Sequence, residues 1–162
     1  MWLYKGKEFT SEDIEDNIGF VYVLTDTENG MKYLGKKNFW AVRKLPPLKG
    51  KTKRRTKKTE SDWMSYYGSS DNVKLLVEEH GGDRFSREIV HLAKSKGELS
   101  YMEAKLQFDY EVLLKPNEWY NGIIQCRINR YDRFCHNVSN SHCFSIRHLT
   151  IQYRVICYFR LF

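Results

Sequence analysis

Two runs of β-branched and aromatic side chains flank a polar turn between residues 19 and 35. Gly19-Phe20-Val21-Tyr22-Val23-Leu24-Thr25 reads as a strand. Asp26 to Gly30 is a turn with the hairpin pair Asn29-Gly30, and residues 31–35 return as a second strand. Upstream, residues 1–18 read as a lead-in, with Thr10 or Ser11 capping a helical turn through Ile14. Downstream, Val73, Leu76 and Val77 share one face of a helix over 71–80, which Gly81-Gly82 stops. Phe85 to Leu92 reads as a third strand. Glu98 to Leu114 reads as an amphipathic helix, its buried stripe formed by Leu99, Met102, Leu106, Tyr110 and Leu113, with Pro116 beyond its end. Residues 117–130 form a short closing segment. The pattern predicts an α/β (α+β) domain over 1–130, with a small three-stranded mixed or antiparallel sheet flanked by helices.

Residues 36–58 fit neither period. They hold eleven lysines and arginines and no acidic residue, and Pro46-Pro47 and Gly50 argue against a helix through them. A mobile basic loop is expected. The chain carries a formal charge of +7, but the remainder of residues 1–130 is net acidic, so the basic character is local. Seven cations from Lys49 to Lys58 have no acidic neighbour in sequence, and self-repulsion would keep such a loop extended. Charge runs are usually solvated faces; here phosphate tracking on nucleic acid is the expectation. Trp40 and Trp63 border the segment, each more in keeping with core packing than with base stacking.

After residue 130 the composition changes. Residues 131–162 contain no Lys, Glu, Gly, Ala or Pro, and lack periodicity and turn punctuation. They are read as an atypical C-terminal tail, loosely ordered or from a shifted reading frame. Cys126, Cys135, His136, His142 and Cys143 lack the paired spacing of a zinc site. The four cysteines are all late in the chain, no apolar run reaches the length of a membrane span, and the N-terminus has no apolar signal core. A cytoplasmic protein without a disulfide framework is expected.

Tyr22 and Tyr33 fall on the two arms of the hairpin. Such pairs are commonly cross-strand packing. A phenol with a pKa near ~10 is a poor base at neutral pH unless an ammonium or metal-bound water favours its phenolate. Lys36 and Lys37, just past Gly35, are placed to give such help. Glu103 falls on the rim of the apolar stripe of the second helix. There it either reaches solvent or, turned inward, needs a partner or a metal.

Gly19-Phe20-Val21-Tyr22, followed by Lys32-Tyr33-Leu34-Gly35-Lys36-Lys37, resembles the paired motif of the GIY-YIG nuclease family. Ser61-Asp62-Trp63 with Tyr66-Tyr67-Gly68-Ser69-Ser70 is similar to its phage Seg-like branch of free-standing homing endonucleases, and the likeness spans roughly residues 1–130. The resemblance implies a metal-dependent DNA endonuclease that hydrolyses phosphodiester bonds in one step with Mg²⁺ or another divalent cation such as Mn²⁺. Tyr22 would be the general base on the attacking water, Tyr33 its hydrogen-bonding support, and Lys36 the cation polarising both. Arg43 would clamp the scissile phosphate, with Arg54 or Arg55 as alternatives. Glu103 would bind the metal, and Asn121, after Tyr120, would hold the site together. Lys37, Lys49, Lys51, Lys53, Arg54, Arg55, Lys57 and Lys58 would bind DNA. The partner would be double-stranded DNA, with a transient dimer on it, in the cytoplasm of a host cell if the gene is a phage's. Phe20 departs from the family motif, standing where Gly is usual, with Gly19 one place earlier. The alternative is a nucleic-acid-binding module whose catalytic residues are vestigial.

Overall fold

The computed structural model describes residues 1–126; the tail expectations lie outside them. Seven strands and two α-helices are formed: β1 (Trp2–Tyr4), β2 (Lys7–Phe9), β3 (Gly19–Asp26), β4 (Lys32–Asn38), β5 (Trp40–Leu45), β6 (Arg55–Glu60), α1 (Asp71–His80), β7 (Phe85–Ala93) and α2 (Lys96–Asp109). Five strands make one sheet in the order β2-β1-β7-β3-β4, with β1 parallel to β7 and the other pairs antiparallel. β5 and β6 pair only with each other.

The mixed α+β class is as expected, but the sheet has five strands, not three. The extra two, β1 and β2, come from the lead-in. Each has only three residues, too few for a period to stand out. The expected helical turn is a single 3-10 turn over Ser11–Ile14, where the Asp13 carboxylate accepts hydrogen bonds from the Thr10 N–H at 2.7 Å and the Thr10 hydroxyl at 2.9 Å.

The basic segment is a second departure. It is a β-ribbon whose strands are joined through residues 46–54, with a turn closed by the Lys51 N–H donating to the Leu48 carbonyl at 2.8 Å, and with Trp40 opposite Glu60, Arg43 opposite Lys57 and Leu45 opposite Arg55. Its cations fall in adjacent pairs, Arg43-Lys44 and Lys57-Lys58, so charge lies on both faces and no period of two is left to read.

β3 is paired on both sides, by β7 and β4, and is covered on both faces, which explains its nearly unbroken apolar run. Phe20, Tyr22 and Leu24 point to one side, where Trp2, Phe39, Trp63 and Val73 of α1 pack around them. Val21 points to the other, against Leu34, Ala93, Leu99 of α2, Val112 and Trp119. At ~1.5–3 kcal/mol per buried large apolar side chain, these two layers fix the strands that carry the tyrosines. A bulge in β7 lets Val21 pair with His91 and Tyr22 with Ile89.

α2 stops earlier than its apolar stripe suggested. Glu111 adopts a left-handed φ of 55°, the Val112 N–H donates to the Gln107 carbonyl at 3.2 Å, and the Glu111 N–H donates to that of Phe108 at 3.0 Å. This is the Schellman arrangement. It turns Val112 into the core and leaves Tyr110 and Leu113 exposed, so these two are not part of the buried stripe. Tyr110 stacks on Trp119 instead, with ring centroids 5.7 Å apart. Among the described residues no helix is long and apolar enough to cross a membrane.

Candidate active site

The hairpin register sets the tyrosine geometry. Tyr22 lies opposite Gly35 and Leu24 opposite Tyr33, so the tyrosines share a face diagonally, with ring centroids 6.3 Å apart. A Cβ on Gly35 would sit 2.7 Å from the Tyr22 hydroxyl. Only glycine lets the phenol of β3 reach past the β4 backbone. Gly19 has a similar reason: a Cβ there would lie 2.5 Å from the Lys37 carbonyl. Phe20, by contrast, is fully buried among Trp2, Phe39 and Trp63. The displaced glycine thus fills a steric requirement at Gly19, and Phe20 builds core.

β4 is the edge strand, and a groove of about 380 Å³ runs along it, lined by Tyr33, Lys36, Ser69, Glu103, Gln107 and Asn121, among others. Lys36 points to the α2 side and its ammonium meets the Glu103 carboxylate at 2.8 Å and the Ser100 hydroxyl at 3.1 Å. The Asn121 amide bridges the edge of β4, accepting from the Leu34 N–H at 2.9 Å and donating to its carbonyl at 2.7 Å. The Tyr33 hydroxyl is 2.9 Å from the Ser69 hydroxyl, which brings the Tyr66-Tyr67-Gly68-Ser69-Ser70 segment to the tyrosine pair.

Tyr22 is 1% exposed and is not among the groove's lining residues. Burial, with the neighbouring phenols of Tyr66 and Tyr33 and the Glu103 carboxylate, raises its pKa well above the ordinary value. The direction is opposite to the lowering expected from a nearby lysine; the Lys36 ammonium pairs with Glu103. Burial also raises the pKa of Tyr66, whose ring stands edge-on to Tyr22 at 6.1 Å.

Arg43, Arg54 and Arg55 are exposed on the ribbon and its turn, outside the groove. Lys37 is held by Asp62 at 2.7 Å and lies over the Tyr66 ring at 3.6 Å. Lys58 covers the Trp40 ring at 4.0 Å. Lys49, Lys51, Lys53 and Lys57 are exposed.

Sequence reasoning missed Gln107. It is 5% exposed, one turn beyond Glu103 on α2. Its Nε2 donates to the Leu34 carbonyl at 3.3 Å, while its Oε1 is buried with no partner. A polar side chain eight residues after Leu99, on the same helix face, was the available signal. A buried acceptor without a donor is costly, and beside a carboxylate it fits a hard cation that takes oxygen ligands. No group of three or more His, Cys, Asp or Glu gathers among the described residues; a magnesium ion held largely by substrate and water needs only one or two carboxylates.

Also missed was Asp26, a turn residue by sequence but fully buried. Arg84 donates to both its oxygens, at 2.9 and 2.8 Å, and the Tyr120 hydroxyl to one of them at 2.9 Å. Burial alone would raise its pKa, but the hydrogen bonds from Arg84, the Glu28 N–H and Tyr120 outweigh it and hold it low. This cluster ties the hairpin turn to the segment that carries Asn121.

Residues 2–124 match the family model described as "Putative endonuclease segE, GIY-YIG domain". The chain belongs to the GIY-YIG family. The match takes in the tyrosine hairpin, the Ser61–Ser70 segment and Asn121. Nuclease activity, the hydrolysis of phosphodiester bonds in nucleic acid, is therefore the activity class of this domain. In comparisons with individual curated proteins and with solved structures, nothing matched.

Proposed function

We propose that this GIY-YIG domain is a divalent-metal-dependent endonuclease of double-stranded DNA. The observation that carries the reading is the groove along β4, where Tyr33, Lys36, Glu103 and Asn121 converge beside the buried Tyr22. Glu103, with the unpartnered Gln107 Oε1 nearby, would hold Mg²⁺ or Mn²⁺. A bound cation would stabilise charge on the phosphate and the leaving oxygen.

The protein's own groups divide the remaining work. Asn121 clamps the β4 edge and fixes the groove wall. Lys36 neutralises Glu103 in the free protein; with a cation held by Glu103, its ammonium would be available to the substrate phosphate. Tyr33 opens onto the groove and orients the attacking water through its hydroxyl. Tyr22, directly behind it, is the candidate base, and positive charge brought close to its buried phenol would favour the phenolate. Arg43 meets the duplex from the ribbon, so the fixed cation inside the groove is Lys36. Cutting both strands with one groove requires a second copy or a reorientation, which suits a transient dimer on DNA. A free-standing homing role belongs to the same reading.

The test is plasmid cleavage by the purified full chain. Supercoiled DNA is expected to be nicked or linearised in Mg²⁺ and left intact in EDTA. DNA that is bound but uncut in both would assign a vestigial binding module.

A further inference from the structure

The β5–β6 ribbon has two unlike faces. Residues directly opposite across an antiparallel pair share a face. One face carries Trp40, Val42, Lys44, Thr56, Lys58 and Glu60 and is anchored to the body. Trp40 Nε1 donates to the Asn17 carbonyl at 3.3 Å, Lys58 lies over the Trp40 ring, and Glu60 accepts from Ser11 at 2.8 Å and from Trp63 at 2.6 Å.

The other face has Arg43 opposite Lys57 and Arg55 opposite Leu45. Arg43 and Arg55 are diagonal neighbours, ~7–8 Å apart on this geometry. All three cations are exposed, and among the described residues none has an ion-pair partner. Like charges directly opposite destabilise a strand pair. The sequence keeps them opposed on a ribbon that buries little, and the turn beyond adds Lys49, Lys51, Lys53 and Arg54. A polyanion relieves that repulsion. A two-stranded ribbon has the cross-section to enter the major groove of B-DNA, where a guanidinium can bond both O6 and N7 of guanine. Phosphate binding alone would need neither a paired ribbon nor guanidiniums on one face.

We propose that the β5–β6 ribbon is the target-reading element of this protein: it enters the major groove on its Arg43/Arg55/Lys57 face while the Lys49–Arg54 turn holds phosphates. The inference rests on duplex DNA being the substrate. It gives target selection to a part of the chain physically separate from the catalytic groove.

The experiment is selection from a library of duplexes with a randomised core, in EDTA so that no DNA is cut. It compares the full-length wild type, an Arg43→Gln/Arg55→Gln/Lys57→Gln variant, and a Lys49→Gln/Lys51→Gln/Lys53→Gln variant. The wild type is expected to enrich a motif containing guanine, by about 10-fold or more per contacted base pair. The face variant should bind without enrichment. The turn variant should enrich the same motif with weaker affinity, its slope of log K against log[salt] flattened by about 2–3 units. Unchanged far-ultraviolet spectra and melting temperatures confirm that both variants are folded. No motif from the wild type, or the same motif from the face variant, overturns the proposal. Plasmid cleavage in Mg²⁺ is scored separately, so a wild type that cuts but selects nothing refutes the reading role alone. One that selects but does not cut refutes the nuclease alone.

Discussion

β4, which bounds the groove, ends at Asn38 and the β5–β6 ribbon begins at Trp40, yet the two regions solve opposite problems. In the groove, opposite charges are already matched: Lys36 is on Glu103, and Asn121 takes up both polar groups of Leu34. In the ribbon, like charges face each other and the strands are exposed. The groove's side chains are held in place largely by one another, as positioning of reacting groups demands. The ribbon is complete only against something negative. On the proposed assignments, chemistry and attachment fall on adjoining strands.

The largest effect expected is on the groove side. Glu103→Gln should leave no detectable cleavage in Mg²⁺ or Mn²⁺ while DNA affinity in EDTA stays within about twofold, because the ribbon is untouched. Cutting at the wild-type rate would remove Glu103 from the metal site. Chelation of the metal by EDTA should give the same loss reversibly.

Tyr22→Phe comes next. It deletes one hydroxyl and keeps the ring, and general-base catalysis is worth ~10²–10⁴-fold; a drop in that range under single-turnover conditions is expected. The raised pKa adds a second readout. A group with its folded pKa raised stabilises the protein fully below its unfolded value, and that contribution fades as pH climbs through the folded one. Wild type should therefore lose melting temperature progressively above pH ~10, and Tyr22→Phe should lose less. Parallel curves would mean that other groups govern the alkaline limb.

Asp26→Asn tests the joint between hairpin and closing segment. It removes the charge from the buried partner of Arg84, which keeps only its ion pair with Glu28 at 2.8 Å, and a lower denaturation midpoint is expected. Because the Asp26 pKa is held low, its contribution is present above pH ~4 and is lost as pH falls through the lowered value. The variant should therefore have a flatter acid limb than wild type. Equal stability at neutral pH would show that Tyr120 and Asn121 are positioned without this cluster.

The smallest effect sharpens the contrast most. Lys57→Glu gives Arg43 an opposite charge across the ribbon, worth ~0.2–1 kcal/mol. Amide hydrogen exchange in β5 and β6 should slow while DNA affinity falls. Faster exchange would mean that the strand register is set by something other than these side chains.

Where hydrophobicity carried the period, the sequence was legible. The hairpin was readable because β-branched and aromatic runs flank Asn-Gly, and α1 was found with both of its boundaries. β5 and β6 were hidden because the adjacent cations Arg43-Lys44 and Lys57-Lys58 put charge on both faces and leave no alternation to read. The true end of α2 was hidden because a glutamate, Glu111, takes the left-handed position usually marked by glycine. For the site, Tyr22, Tyr33, Lys36, Glu103 and Asn121 were all named from the motif, and the fold brings them to one end of the sheet. Arg43 was named too but stands on the ribbon. The burial of Tyr22, and its raised pKa, were not readable, since they arise from Trp2, Tyr66 and Gly35 at three separate places in the chain.

The stretch Glu118–Asn121 has a consequence for how far the domain can be shortened. Beyond the Asn121 clamp, the Lys32 N–H donates to the Glu118 carbonyl at 2.8 Å, and the Tyr120 N–H donates to the Lys32 carbonyl at 2.7 Å. Together these bonds seal the outward edge of β4, which would otherwise be a template on which strands of other molecules could add. A chain ending before residue 118 would keep most of its core yet present that bare edge, and it should self-associate into β-rich aggregates. One ending at residue 126 should stay monodisperse. The segment that walls the nuclease groove is thus also the domain's guard against sticking to itself.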